Sequence, residues 1–304
     1  MSLYPSNLPN FSNKNLLYLM VLLRFISDDK YLVLAQRCTL ATYSSGVTLR
    51  SSTSSLICGG ILVQARWVLT ASHCLDGIRN PTSLGVMGKG LLPETQRVIE
   101  VEKVYIQDVY DPKTLEHNIC LLYLKKGFSH PMTFPSLSSA DLFTYLVDIQ
   151  ETIATILGWV GNRPKNPGKV MDSFCLAVRL GTLDDCAAFY ERYVDNETMF
   201  CTSSGPEGEQ PCKGDTGCPL FVKGVVLGLV TYGKDCKMKD ALTLFSRVDR
   251  ALEFIEQTVR SQGYEFGNKS VEGFYAYYVG SRGFEAKGSL IVALVAGLVL
   301  LTVM

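Results

Sequence analysis

The chain has 304 residues, 47% of them hydrophobic and 19% charged, with 29 basic residues balanced by 29 acidic ones. That much apolar material fills a core and excludes a broadly disordered chain, while the zero net charge offers no basic field to a nucleic acid. Ten cysteines, several inside strand-like segments, point to disulfides and therefore to an oxidising compartment.

In chain order, the first feature is the run LLYLMVLL at residues 16–23, which has the character of a secretion signal's apolar core although Arg24 interrupts its end. Residues 1–30 are expected to serve targeting. From 31 to 260 short apolar runs alternate with turn residues: LICGGILV, RWVLTA, NICLLYL, TIATILGWV, VVLGLVTYG and LTLFSRV. This is strand grammar, repeated often enough to predict an all-β barrel or sandwich. Two stretches read as helices. Leu183 to Tyr193 has an acidic first turn and Thr182 as a candidate cap. Val248 to Arg260 spaces Leu252, Ile255 and Val259 near the helical period, as expected of a terminal helix docked on the sheets. Asn196-Glu197-Thr198 and Asn268-Lys269-Ser270 are glycosylation sequons, accessible in a secreted chain. Residues 261–288, rich in Gly, Tyr and Phe, read as a stalk. The stretch 289–304, SLIVALVAGLVLLTVM, carries no charge and is short for a bilayer-spanning helix. A terminal apolar run behind small residues is the pattern of a glycolipid-anchor signal, with a C-terminal membrane helix as the alternative.

Three strings carry the chemistry: Cys58-Gly59-Gly60, then Leu69-Thr70-Ala71-Ser72-His73-Cys74, and far downstream Cys212-Lys213-Gly214-Asp215-Thr216-Gly217-Cys218-Pro219. They resemble the trypsin and chymotrypsin family of S1-type serine proteases. Asn118-Ile119-Cys120-Leu121-Leu122 stands where that family has an Asp-Ile-Ala-Leu-Leu block. Gly158-Trp159, Met199-Phe200-Cys201 and Thr231-Tyr232-Gly233 extend the likeness into the second half. The resemblance implies two six-stranded antiparallel barrels, a C-terminal helix and an active site in the cleft between the barrels. It implies His73, Asn118 and Thr216 as the triad, with the Gly214 and Thr216 amides as oxyanion hole. It implies Gln210, Thr231, Gly233 and Thr243 as the specificity pocket, and Asp215 as the acid that pairs with a new amino terminus after activation cleavage. It also implies the pairs Cys58 with Cys74, Cys186 with Cys201, and Cys212 with Cys236. Cys38, Cys120, Cys175 and Cys218 stay unassigned; Cys120 is expected to be a free buried thiol, and Cys218 takes a glycine position beside the nucleophile loop.

Two of the three triad positions depart from the family. Thr216 replaces the serine nucleophile, and its extra methyl and restricted rotamers must fit a crowded floor. Asn118 replaces the aspartate; an amide cannot stabilise an imidazolium and favours the wrong tautomer, a change worth about 10⁴ in turnover. Gln210 gives no reason to prefer a basic side chain, and Thr243 in place of a pocket glycine narrows the pocket. The nearest activation motif by spacing, Lys30 before Tyr31-Leu32-Val33-Leu34, lacks the family's glycines. The expectation is a secreted or surface-held serine protease homologue without catalysis, recognising an extracellular protein or peptide or regulating proteolysis. The alternative is a weak peptidase in which Thr216 attacks and His73 acts as base. No metal or cofactor is expected. The chain has three histidines: His130 precedes a proline, and His117, read as lying on a strand with Asn118, should face away from it at an exposed loop edge. No acid occurs in residues 80–93, where a calcium loop would need them, before Glu94.

Overall fold

The computed structural model describes residues 44–264 except 79, 81–82, 89–97, 129–133, 142, 145–152, 160–173, 182, 191–193, 205–209, 213, 223 and 234–240. The targeting segment, the candidate activation site, most of the stalk and the apolar tail lie outside these residues.

Six strands close the first barrel: β1 (Gly46–Arg50), β2 (Leu56–Gln64), β3 (Trp67–Thr70), β4 (Gly85–Gly88), β5 (Val98–Ile106) and β6 (Cys120–Leu124), in the order β1-β2-β3-β6-β5-β4. β2 and β3 form a hairpin in which Gln64 faces Trp67 across Ala65 and Arg66. Val47, Leu49, Leu62, Val68, Val86, Val101, Leu122 and Leu124 are buried together. Burial of each such side chain is worth about 1.5–3 kcal/mol before the entropy of ordering it. β5 departs from simple alternation because its pairing with β6 shifts between Val101 and Lys103. The irregularity leaves two successive charged residues, Glu102 and Lys103, exposed.

After the short β7 (Ser136–Leu137), the second barrel uses β8 (Ile153–Gly158), β9 (Phe174–Leu180), β10 (Met199–Ser203), β11 (Pro219–Val222), β12 (Val225–Gly233) and β13 (Thr243–Arg247). Its order is β11-β8-β9-β10-β13-β12; β12 pairs back to β11 and closes the ring, and β7 adds a parallel strand beside β12. Ile156, Leu176, Val178, Leu220 and Leu227 fill it with the stacked pair Phe200 and Phe245, ring centroids 5.2 Å apart. The chain is thus mostly sheet, in two closed six-stranded antiparallel barrels with a short C-terminal helix, as the sequence implied.

Helix α1 (Leu183–Tyr190) is joined to β10 by the Cys186–Cys201 disulfide. Residues 191–193 of the expected helix lie outside the described residues. The terminal helix begins later than expected. Val248 accepts from the Ala251 N–H in a tight 3-10 turn (Asp249–Ala251), and α2 proper runs from Leu252 to Ser261. In that turn Asp249 is buried and its carboxylate is bound by Arg247 at 3.1 and 2.8 Å, a contact that sequence periodicity does not register. Ile255 and Val259 face inward from α2. Beyond it Tyr264 sets its ring edge-on to Trp67 and Tyr123 of the first barrel, and its hydroxyl lies 3.1 Å from that of Tyr123. No helix among the described residues is long and apolar enough to cross a membrane.

Candidate functional site

His73 sits in a 3-10 turn (Ser72–Leu75) that continues β3, its loop closed by the Cys58–Cys74 disulfide with Cα atoms 6.2 Å apart. Asn118 faces it from the approach to β6. The expectation that His117 and Asn118 share a strand is corrected: the strand begins at Cys120, and His117 adopts φ 51° in the left-handed region. His117 is half-buried rather than exposed, and its carbonyl accepts from the Ile119 N–H at 2.8 Å. The Gln107 amide clamps the bend by donating to the carbonyls of His117 (3.0 Å) and Ile119 (3.3 Å). This bend, rather than strand alternation, turns the wholly buried Asn118 toward His73.

The orientation of the Asn118 amide decides the chemistry of the histidine. The backbone N–H of His73 donates to Asn118 Oδ1 at 2.9 Å, which fixes the oxygen on that side. The amide nitrogen then faces His73 Nδ1 at 2.8 Å, closer than the 3.2 Å between Nδ1 and Oδ1. An amide nitrogen can only donate, so Nδ1 is the acceptor and the neutral ring carries its proton on Nε2. A general base needs the opposite tautomer, with a lone pair at Nε2. Burial also holds the His73 pKa below its ordinary value, against the smaller raising effects of the Asn118 hydrogen bond and the Asp76 charge. Asp76 itself is exposed and accepts from the Tyr110 hydroxyl at 3.2 Å.

From the second barrel comes the loop Cys212–Cys218. Its amides at Asp215, Gly217 and Cys218 donate to the carbonyls of Cys212, Val230 and Asp215. Gly214 takes φ 107° and Gly217 φ 78°, conformations that favour glycine. The N–H groups of Gly214 and Thr216 donate to nothing among the described residues, and no hydrogen bond joins Thr216 to His73 there. The buried Asp215 carboxylate accepts from the Trp159 N–H at 2.7 Å and the Cys212 N–H at 2.9 Å. Thr216 is tied to the first barrel by its carbonyl, which accepts from the Gly59 N–H at 2.7 Å. Thr70 Oγ1 in turn donates to the Gly59 carbonyl at 2.7 Å. The seam is tight: a Cβ on Gly59 would fall on Cys218 Sγ, and one on Gly217 would meet the Gly59 carbonyl and Thr70 Oγ1.

Of the residues expected to form a specificity pocket, Gln210, Thr231 and Thr243 are buried and Gly233 is exposed. Gln210 is 4% exposed and Thr243 2%, and Pro211 between Gln210 and Cys212 is buried. Thr243 pairs with Gly233 across β12 and β13, with its Oγ1 3.9 Å from where a Cβ of Gly233 would stand. Thr231, also buried, shares a 2.6 Å hydrogen bond with Ser246. Tyr232 stays 43% exposed beside them.

Cys175 and Cys212 each belong to a disulfide with a residue outside the described ones, a state the sequence left open for Cys175; Cys236, the expected partner of Cys212, lies among those residues. Cys120 and Cys218 are free and buried. Burial pushes the Cys120 thiol up to about 12. Burial and, secondarily, the Asp215 charge raise Cys218 well above the ordinary thiol value. Both are therefore unreactive thiols. Asn196 is exposed in a turn, and Asn268 lies outside the described residues. The Gln107 clamp was missed from sequence, because nothing local marks a glutamine that reaches across to another loop.

Two closed barrels with these residues at the cleft define a trypsin-like domain. The chain belongs to the trypsin family, whose profile matches residues 36–255. It is 26% identical to Trypsin-1 of Gadus morhua over 240 residues, covering 77% of this chain and 94% of that protein. It is 30% identical to Chymase of Papio hamadryas over 197 residues, 64% of this chain and 77% of the other. Against Coagulation factor XI of Bos taurus the figures are 26% over 219 residues, 67% of this chain and 34% of that longer protein.

Proposed function

We propose that this chain is a non-catalytic member of the trypsin family, secreted or held at the cell surface, which binds an extracellular protein or peptide in or around its cleft. One observation carries the reading: Asn118 presents a donor to His73 Nδ1, so the histidine offers Thr216 a proton instead of a lone pair. The missing hydrogen bond between His73 and Thr216 and the identities of Gln210 and Thr243 at the expected pocket positions support it. Trypsin-like serine proteases are mostly secreted. The disulfides and the exposed Asn196 sequon suit that route, with glycosylation at Asn196 and attachment through the apolar tail as parts of the same proposal.

The test is a fluorophosphonate probe on the full chain, beside Thr216→Ser and the double change Thr216→Ser with Asn118→Asp. The unaltered chain stays unlabelled, and the double variant labels. Labelling of the unaltered chain that disappears in His73→Ala would overturn the reading in favour of a threonine peptidase.

A further inference from the structure

A catalytic cleft of this kind sets a lone pair, on the base, against donors. Here the polarity is uniform. With Nδ1 engaged by Asn118, the opposite edge of the half-exposed His73 ring carries Nε2–H. On the second-barrel side the Gly214 and Thr216 amides have no acceptor among the described residues, and the Thr216 hydroxyl is free to donate. A neutral peptide carbonyl offers one oxygen to such a set. A carboxylate offers two oxygens with about four lone-pair positions, and its charge makes each hydrogen bond roughly twice as strong.

Resting on the non-catalytic reading above, we infer that the cleft is a receptor for peptide carboxylates, bound between His73 Nε2–H and the amides of Gly214 and Thr216. The acids nearby do not oppose this ligand strongly. Asp215 has its oxygens on the Trp159 and Cys212 amides, and Asp76 is exposed and bound by Tyr110. A small residue bearing the carboxylate tests the donor set without asking anything of the buried Gln210, Pro211 and Thr243. The exposed Tyr232 ring offers an apolar surface to the residues before it.

Three probes test this on the full, isotope-labelled chain at pH 7.5: N-acetyl-trialanine with a free carboxylate, its carboxamide, and the carboxamide of N-acetyl-Ala-Glu-Ala. The free acid shifts the amide signals of Gly214 and Thr216 and the His73 Nε2 signal, and the trialanine carboxamide binds at least tenfold more weakly. The glutamate peptide distinguishes the source of the carboxylate: binding at the same three signals assigns an acidic side chain as well, and its failure assigns the chain terminus alone. His73→Ala removes the Nε2–H donor, weakens the free acid at least tenfold and abolishes its preference over the carboxamide. Equal affinity for acid and carboxamide, or no binding of either carboxylate at millimolar concentration, overturns the inference. Fluorophosphonate labelling distinguishes the two failures: a chain that stays unlabelled and shows no carboxylate preference loses this inference alone, whereas a labelled one loses the non-catalytic reading beneath it.

Discussion

The two sides of the cleft have departed from a protease in different ways. On the first-barrel side the network is complete: His73, Asn118, Gln107 and the 117–119 bend satisfy one another, and only the direction of one amide is reversed. On the second-barrel side the loop around Thr216 keeps its glycine turns and open amides, while of the expected pocket positions Gln210 and Thr243 are buried and Gly233 is exposed. On the proposed non-catalytic reading, the first side is held back by one proton's position, which a single atom exchange would reverse, and the second by the identity of Thr216.

The largest effect expected from that contrast is on turnover. In a Thr216→Ser background, Asn118→Asp raises the rate of fluorophosphonate labelling by about 10⁴, whereas Gln210→Asp with Thr243→Gly in the same background adds little without it. A stopped-flow labelling series over the four variants checks the order. If the pocket changes alone restored labelling, the pocket and not the histidine tautomer would be the barrier.

Next in size is the seam that holds the two sides in register. Gly217→Ala forces a side chain into φ 78° and onto the Gly59 carbonyl and Thr70 Oγ1. It should cost on the order of 3 kcal/mol in urea unfolding, from backbone strain and overpacking together. Gly224→Ala, at a similar φ of 82° in the β11–β12 turn but with nothing nearby to strike, should cost only about 1 kcal/mol.

A smaller effect concerns pH. Because burial depresses the folded-state pKa of His73, the unfolded chain takes up this proton first as pH falls. The contribution to stability is therefore complete above the ordinary value of 6.5 and is lost as pH falls from there through the folded-state value. The histidine's NMR titration midpoint should lie below 6.5, and Asn118→Asp should lift it by a unit or more, since a carboxylate would then face Nδ1. The smallest expectation is null: iodoacetamide should modify neither Cys120 nor Cys218 in the native chain and both after denaturation, as read by mass spectrometry of the two peptides.

The sequence made the chemical strings legible because each is contiguous: a disulfide loop around His73 and a glycine-rich turn around Thr216 are local devices. It also named the altered triad positions, since residue identity alone reveals Asn118 and Thr216. What it could not convey was direction. Asn118 was recognised as an amide, but which end meets Nδ1 is set by the backbone N–H of His73, 45 positions away. His117 was misread for a related reason: a left-handed residue ahead of a strand leaves no trace in the apolar pattern. β5 was not singled out because its irregular pairing breaks strict alternation in VIEVEKVYI. α2 was placed four residues early because the period of Leu252, Ile255 and Val259 carries no sign that the chain just ahead of Leu252 is wound more tightly.

Cys218 and Gly59 constrain each other's side chains. With Sγ occupying the space in which any side chain at Gly59 would grow, the glycine cannot drift while the cysteine remains. Exchanging Cys218 for glycine would remove Sγ, but the Cα and N of residue 218 would still stand 3.2 Å from a Cβ at Gly59. Substitutions at this seam are therefore not independent: what residue 218 carries sets how much a side chain at Gly59 would cost, and the backbone behind it keeps that cost from vanishing.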